Sequence, residues 1–426
     1  YWRNTKLEKR SLFNTIIRIF STNIFVIVLV VISGIILPRL LNPYSLGRLN
    51  SLLALVSIVY SITFLGMRSS LLMHMGQSKF EQKRLLQGVS WIYILSVFLS
   101  TGSLLVFLLF ISNDSYPLWI VVLVCMINPF EFLIGYMQGI NLAQANIGQY
   151  NRLKWIPSLV YLVAIVVLLG LFNLQVKGAL IAAIVSNLIT LVIYLKIIRV
   201  AVPGPMREAI PIRVIRSLIA FGSLFALSFL ITRLNHKIDI LLLKRMSNLA
   251  EVGFYSLGVN VAEMIWQIPI AVGVVLVTRS AVTKDQRLVT RQVCSTLRVS
   301  LLVVVFGALL LLLFAPLLVR VAFGERYLPS VLIIRTVLPG ILFFVVLKII
   351  NSQFIGSGKP QLTLLALLPS LALNIGLNFF FIPRYDGLGA AIATNISYFT
   401  AAVLLVAVYS KTFHMPISYL HLSADI

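Results

Sequence analysis

Apolar runs of 18 or more residues recur from one end of this chain to the other. Each is long enough to cross a hydrocarbon layer about 30 Å thick. Inside such a layer every backbone N–H and C=O must find its partner within the protein, which leaves helices and closed barrels. These runs are continuous and do not alternate apolar with polar, the reverse of a barrel strand. The chain is 60% hydrophobic and only 11% charged over 426 residues, with a mean hydropathy of +1.01. The expected fold class is therefore an all-α polytopic membrane protein.

Twelve spans are predicted, at roughly 12–37, 45–67, 86–111, 117–142, 154–174, 177–198, 214–243, 252–278, 296–322, 328–352, 361–382 and 388–410. Aromatic residues mark several ends, among them Trp91, Tyr116 with Trp119, and Tyr150 with Trp155. Such belts sit at membrane interfaces. The formal net charge is +23, from 35 Lys+Arg against 12 Asp+Glu. Twenty-two of the basic residues fall at one set of alternate span ends and eight at the other. That asymmetry predicts cytoplasmic termini and accounts for most of the charge without invoking nucleic acid. Five cations remain inside spans: Arg18, Arg233, Lys237, Arg335 and Lys348.

The chain repeats itself. VKGALIAAIVSN at 176–187 matches YDGLGAAIATN at 385–395, and PSL precedes each, at 157–159 and 369–371. RLLNPYSLGRLNSL at 39–52 echoes RMSNLAEVGFYSL at 245–257. The offset is close to half the chain each time. Six spans per half is an even number, so the halves keep one orientation and are expected to be related by an axis along the membrane normal. The expected division is 1–199 as an N-terminal lobe of spans 1–6, 200–213 as a cytoplasmic linker, and 214–426 as a C-terminal lobe of spans 7–12. The linker VAVPGPMREAIPIR is the one break in composition.

No loop leaves room for a soluble catalytic domain, so no enzyme is expected. GSGKP at 356–360 lacks the first glycine of a phosphate-binding loop, and Pro360 stands where a magnesium-holding hydroxyl would be. Cys125 and Cys294 make no disulfide framework, and the four histidines share no metal spacing. No metal and no cofactor is predicted.

Charge inside a span is costly and points to function. On span 1, Asn14, Arg18 and Ser21 form one stripe; on span 4, Glu131 and Gln138 do so beside Pro129; on span 8, Asn260, Glu263 and Gln267 share a face. A carboxylate at Glu131 or Glu263 would pair with a cation or bind H⁺ or Na⁺. Arg335 lies deeper than Lys348, which is placed to reach the interface. On span 7, Arg233, His236 and Lys237 share a face. Lys237 and Asp239 are expected at its outer end, as an ion pair forming part of a gate with His236. Cations lining a cavity would suit a phosphate or uronate cargo.

HKIDILLLKRMSNLAEVGFYSLGVNVAEMIWQIP resembles the spans 7–8 signature of bacterial polysaccharide exporters. LPRLLNPYSLGRLNSLLALVSIVYSITFLGMRSS resembles their spans 1–2, and FGERYLPSVLIIRTVLP with GSGKPQLTLLALLPSLALNIGLNFFFIPRYDGLGAAIATNISY resembles their C-terminal half. The family is the Wzx-type flippases of the multidrug/oligosaccharidyl-lipid/polysaccharide (MOP) exporter superfamily. The resemblance implies two six-helix lobes in a V-shaped, MATE-like bundle of twelve helices. It implies alternating access in the bacterial inner membrane. An undecaprenyl-diphosphate-linked glycan would pass from the cytoplasmic to the periplasmic leaflet, with H⁺ or Na⁺ coupling in some relatives. In such a cavity Arg18, Arg48, Arg233, Arg335 and Lys348 would meet diphosphate or acidic sugars, and Asp239 matches the family's Asp at the end of span 7. Membrane lipids are expected partners, a polysaccharide polymerase and a chain-length regulator are candidates, and the transport unit is expected to be monomeric. Two alternatives stand beside this reading: a multidrug or cation antiporter of the same superfamily, and a non-transporting membrane scaffold for polysaccharide assembly.

Overall fold

A computed structural model of the chain describes residues 2–76, 80–112, 116–144, 147–197, 212–283 and 285–413, with side chains from 21 onward. The described residues are helical, in the order α1 (Trp2–Leu40), α2 (Pro43–Thr63), α3 (Met67–Gly76), α4 (Gln82–Val106), α5 (Leu118–Ala143), α6 (Ile147–Leu153), α7 (Ile156–Ile165), α8 (Gln175–Ile197), α9 (Ile212–Met246), α10 (Leu249–Glu263), α11 (Gln267–Val282), α12 (Gln286–Ala322), α13 (Ser330–Gly356) and α14 (Leu364–Phe413). Ten segments among them are long and apolar enough to cross a membrane. One of these, Pro360–Phe413, holds two spans, and α10 with α11 supplies another, which gives the twelve expected. The proposed linker lies almost wholly outside the described residues.

The division inside α14 falls at Asp386, whose backbone is non-helical at φ 48°, ψ −129°. Ser370 and Ser397 hydrogen-bond to one another at 2.8 Å. Along a straight helix those residues would stand about 40 Å apart, so the chain reverses at Asp386. In α13, Pro339 cannot donate to the preceding turn. The Asn395 side chain bridges the next rung of the ladder, between Gly340 and Thr336: its amide donates to the Thr336 carbonyl and its Oδ1 accepts from Gly340 N–H at 2.9 Å. Asn395 is the closing residue of the repeated AAIATN motif. The GSGKP stretch simply closes α13, with Gly358 at φ +75° and Lys359 N–H returning to the Phe354 carbonyl at 2.8 Å.

The described chain packs as two compact units, one of residues Tyr1–Leu40 and Leu52–Leu230, the other of Leu41–Ser51 and Ile231–Ile426. Helices α2 and α9 thus each begin in one unit and end in the other. In the first unit α5 is the core helix, packed on α3, α4 and α8. Its Phe132 and Tyr136 stack against Phe64, with ring centroids 6.1 and 5.4 Å away. In the second unit α13 takes that place, packed on α10, α11, α12 and α14. The lipid-facing extreme is α12, whose Leu302, Phe306, Leu309, Leu313 and Leu317 are all exposed. Apolar side chains pointing outward are expected where lipid, not water, is the solvent.

Two spans expected as single helices are broken. The second stops at Thr63 and resumes at Met67, because Leu65 (φ 52°) and Gly66 (φ 60°) are left-handed. The eighth runs from α10 through a tight turn at Met264–Trp266 into α11, one turn ahead of Pro269, whose ring disrupts the preceding turn.

The two echoing segments meet within the second unit. Asn42 and Asn248 each cap a helix, accepting from Ser45 N–H at 2.7 Å and from Glu251 N–H at 3.0 Å. Five residues beyond each cap stands a glycine, and these allow α2 and α10 to touch backbone to backbone. A Cβ at Gly47 would lie 1.8 Å from the Leu249 carbonyl oxygen, and one at Gly253 would lie 2.1 Å from that of Pro43. Neither oxygen can move without breaking a helix. Gly253→Ala is therefore expected to destabilise the fold by about 1–3 kcal/mol or more. Gly102→Ala, in open space on α4, should be neutral or stabilising by up to about 1 kcal/mol. Thermal unfolding of the two variants in detergent checks the contrast.

Candidate functional site

The second unit holds two polar sites one turn apart along α9. The deeper in protein is Asp239, only 2% exposed. It lies about 10 Å along the helix from Met246. The Tyr255 hydroxyl donates to Oδ2 at 2.9 Å, Thr394 Oγ1 lies 2.8 Å from the same oxygen, and the Asn378 amide donates to Oδ1 at 2.6 Å. The same amide reaches Asn374 Oδ1 at 3.0 Å. Asn378 Oδ1 is buried with no hydrogen-bond partner. Every partner of the carboxylate among the described residues is neutral.

This corrects the expected Lys237–Asp239 ion pair. Residues two apart on a helix point to different sides, so Asp239 turns into α10 and α14 while Lys237 turns toward Glu263. The expected position at the outer boundary also shifts, because α9 continues to Met246 and leaves Asp239 within the packed bundle.

The other site lies around Glu263, at the end of α10 where the eighth span breaks. His236 Nδ1 stands 3.8 Å from Glu263 Oε1 and 3.5 Å from the Tyr398 hydroxyl. Lys237 and Lys348 both feel the Glu263 carboxylate and the Arg233 guanidinium. Rings pack beneath them. Trp266 and Phe344 centroids are 4.4 Å apart, Phe344 and Tyr398 are 4.6 Å apart, and His236 meets Phe344 edge-on at 5.0 Å. The Lys348 ammonium lies over the Phe344 ring at 4.7 Å and the Trp266 ring at 5.8 Å. These are cation–π distances. Two lysines thus lie within electrostatic reach of one carboxylate, with the Arg233 guanidinium near both, so basic side chains outnumber acidic ones here. Arg233 is exposed and Lys237, Glu263 and Lys348 are half-buried, so the cluster is open to a ligand.

The structure brings together Arg233, His236, Lys237, Glu263 and Lys348 from the sequence-predicted set. It leaves Arg335 out: that side chain is exposed and donates to the Leu312 carbonyl on α12 at 3.2 Å. Depth along α13 favoured Arg335, but the two positions are 13 residues apart and face different neighbours. Arg48 lies half-buried on the first turns of α2, beside the Gly47 crossing, and Glu131 lies half-buried on α5 of the first unit. Arg18 is on α1, and its side chain falls outside the described residues. The stripe expected from Asn260 through Glu263 to Gln267 is interrupted by the Met264–Trp266 turn. Sequence reasoning missed Tyr255, Asn374, Asn378, Thr394, Trp266, Phe344 and Tyr398. Asn374 and Asn378 carried a usable signal, two amides four residues apart in an otherwise apolar span.

Comparison with known proteins places this geometry. A family model described as polysaccharide biosynthesis protein matches residues 36–332. A Shigella flexneri protein described as a candidate O-antigen transporter is 27% identical over 197 residues, 46% of this chain and 47% of that protein. The chain therefore matches about half the length of that curated relative. A multidrug resistance MATE family transporter of the MOP superfamily, in an inward-facing conformation, superposes with a TM-score of 0.73 at 14% identity, covering 96% of this chain and 100% of the other. The lipid II flippase MurJ, in an inward closed conformation, superposes with a TM-score of 0.70 at 16% identity, covering 94% and 88%. At such identity these likenesses establish the fold.

Removing the Asp239 carboxylate would orphan the Tyr255, Thr394 and Asn378 groups in a dry interior. Asp239→Ala is expected to destabilise the protein by about 2–4 kcal/mol. Asp239→Asn keeps most of the hydrogen bonds and should be milder; thermal unfolding in detergent separates them.

Proposed function

The chain belongs to the polysaccharide biosynthesis protein family, and from that premise we propose that it is a flippase for a lipid-linked oligosaccharide. The cargo would be an undecaprenyl-diphosphate-linked glycan, such as an O-antigen repeat unit, moved from the cytoplasmic to the periplasmic leaflet of a bacterial inner membrane. The observation that carries the reading is the grouping of Lys237 and Lys348 within electrostatic reach of the Glu263 carboxylate, with the Arg233 guanidinium near both lysines. In a low-dielectric setting an excess of positive charge attracts a multiply charged anion strongly. Arginine presents paired N–H donors that match phosphate oxygens, and lysine adds a point charge. A diphosphate has the charge and the oxygens to use both. The names of the S. flexneri relative and of the lipid II flippase are in keeping with a glycan-bearing cargo.

The same excess speaks against the multidrug antiporter alternative, since a cationic drug would be repelled. Glu263 then serves to hold the cations in place between cargoes, beside His236 and Tyr398.

Asp239 supports the coupling part of the proposal. A small hard cation seeks oxygen ligands, and this site offers two carboxylate oxygens, the Asn374 and Asn378 side-chain oxygens, and the Thr394 and Tyr255 hydroxyls. The unpartnered Asn378 Oδ1 is the kind of buried acceptor that Na⁺ would satisfy after rotation of the amide. Proton binding to the carboxylate is the other way to neutralise it, and a vesicle assay with Na⁺ and pH varied separately tells them apart. The cytoplasmic placement of both termini belongs to the same proposal, resting on the basic-residue asymmetry. So do a monomeric transport unit and contact with a polymerase and a chain-length regulator, which rest on the resemblance alone.

Two outcomes are expected. Arg233→Gln and Lys348→Gln should each lower surface polysaccharide about tenfold at unchanged protein level, the loss of one charge-assisted contact of about 1.5–3 kcal/mol. Undiminished polysaccharide in both would sink the assignment. Asp239→Asn should remove the Na⁺ or pH dependence of flipping in vesicles, whereas Glu263→Gln should keep it.

A further inference from the structure

The first unit contains a pair of cations that the cluster in the second unit does not use. Arg68 is the second residue of α3, just beyond the Leu65–Gly66 break. Its guanidinium donates to the Tyr150 hydroxyl at 2.7 Å and stacks over that ring at 5.3 Å. Gly139 lets α5 approach the Arg68 backbone, where a Cβ would stand 3.2 Å from its Cα. Lys154 sits in the turn between α6 and α7 and donates to Asn23 Oδ1 on α1 at 2.5 Å. The two charges are close enough to repel, and neither is paired with a carboxylate among the described residues. Both side chains are half-buried.

Each cation spends one donor on a neutral acceptor. Arginine carries five N–H donors and lysine three, so most remain free. A third group lies near Arg68. The Tyr194 hydroxyl on α8 lies within electrostatic reach of Arg68 and Tyr150. Tyr194 is 0% exposed; Gln138 is near, yet the hydroxyl closes no hydrogen bond. Two cations held together without an anion, beside an unpartnered buried donor, form a cradle for a tetrahedral oxyanion. The positive end of α3 adds to the field.

Depth says what kind of anion. Arg68 and Lys154 lie in the same-side end portions of the apolar segments Pro43–Met75 and Gly148–Leu171. Lipid headgroups are met at the ends of such segments and acyl tails along their middles. We propose that Arg68, Lys154 and Tyr194 form a second anion site, which takes the phosphate group of a lipid in the adjacent leaflet. The transport reading enters only in naming a polyprenyl diphosphate as one source of that phosphate; a bilayer phospholipid is the other.

The test reads binding, not transport. The full chain carrying Arg233→Gln, Lys237→Gln and Lys348→Gln is placed in phosphatidylcholine nanodiscs and titrated with a polyprenyl diphosphate, so that no cation of the cluster in the second unit contributes. Adding Arg68→Gln or Lys154→Gln should weaken the remaining binding about tenfold, and Arg68→Lys should restore most of it. Asn151→Ala, which removes the neighbouring hydrogen bond to Thr22 at 3.1 Å without touching a charge, should bind as the parent does. Displacement by phosphatidylglycerol identifies a bilayer lipid as the occupant, and resistance to it identifies the diphosphate lipid. Parental affinity in both Arg68→Gln and Lys154→Gln overturns the proposal. So does an equal loss in Asn151→Ala, which would mark the defect as one of packing. If the proposed transport function is wrong, Arg233→Gln and Lys348→Gln will leave export intact while this binding test still stands.

Discussion

A hydrocarbon layer offers no hydrogen bonds, and that scarcity governs each irregularity in these helices. Where a span breaks, a specific group stands in for the missing backbone partner. Next to Pro339 in α13, Asn395 takes the place of one backbone rung, donating to the Thr336 carbonyl and accepting from Gly340 N–H. Asn42 and Asn248 close the first turns of α2 and α10. The left-handed pair Leu65 and Gly66 lets the second span stop and resume without leaving the bundle. Irregular backbone survives at membrane depth only when it is packed in protein or lines a cavity.

The same scarcity concentrates charge at those breaks. Glu263 ends α10 at the Met264–Trp266 turn, with Lys237 and Lys348 within electrostatic reach of it and Arg233 near both lysines. Arg68 follows the break between α2 and α3. Interrupted helices are where membrane transporters place their polar sites, since a broken helix opens room that a regular one fills. The second span of each half is interrupted here, so each unit has a place where ions are tolerated. Asp239 follows a different rule. It sits in an unbroken stretch of α9 and is held by three neutral side chains.

The recurrence of elements along the chain has a physical counterpart in each unit. The fourth span of each half, α5 and α13, is the core helix of its unit, and each carries a proline, Pro129 and Pro339. Gly47 and Gly253 permit one backbone crossing between the two echoing segments. Neither residue could be larger, which explains why the echo keeps glycine while its neighbours vary.

Span number and class were legible in the sequence because both follow from local quantities, the length and hydropathy of each run. The oddity of Arg233, His236, Lys237 and Glu263 was legible too, since any charge in an apolar run stands out. What the sequence could not decide is which charges meet. Lys237 and Asp239 are two residues apart in the chain but turn to different neighbours, while Lys348 joins Glu263 across 85 positions and Arg335, the deeper of the two cations on α13, points at α12. The Asp239 site draws on α9, α10 and both arms of α14, and its amides and hydroxyls look ordinary in sequence because neutral polar residues are common in spans. Helix period fixes the direction of each side chain relative to its own axis; only the packing of the helices fixes what lies in that direction.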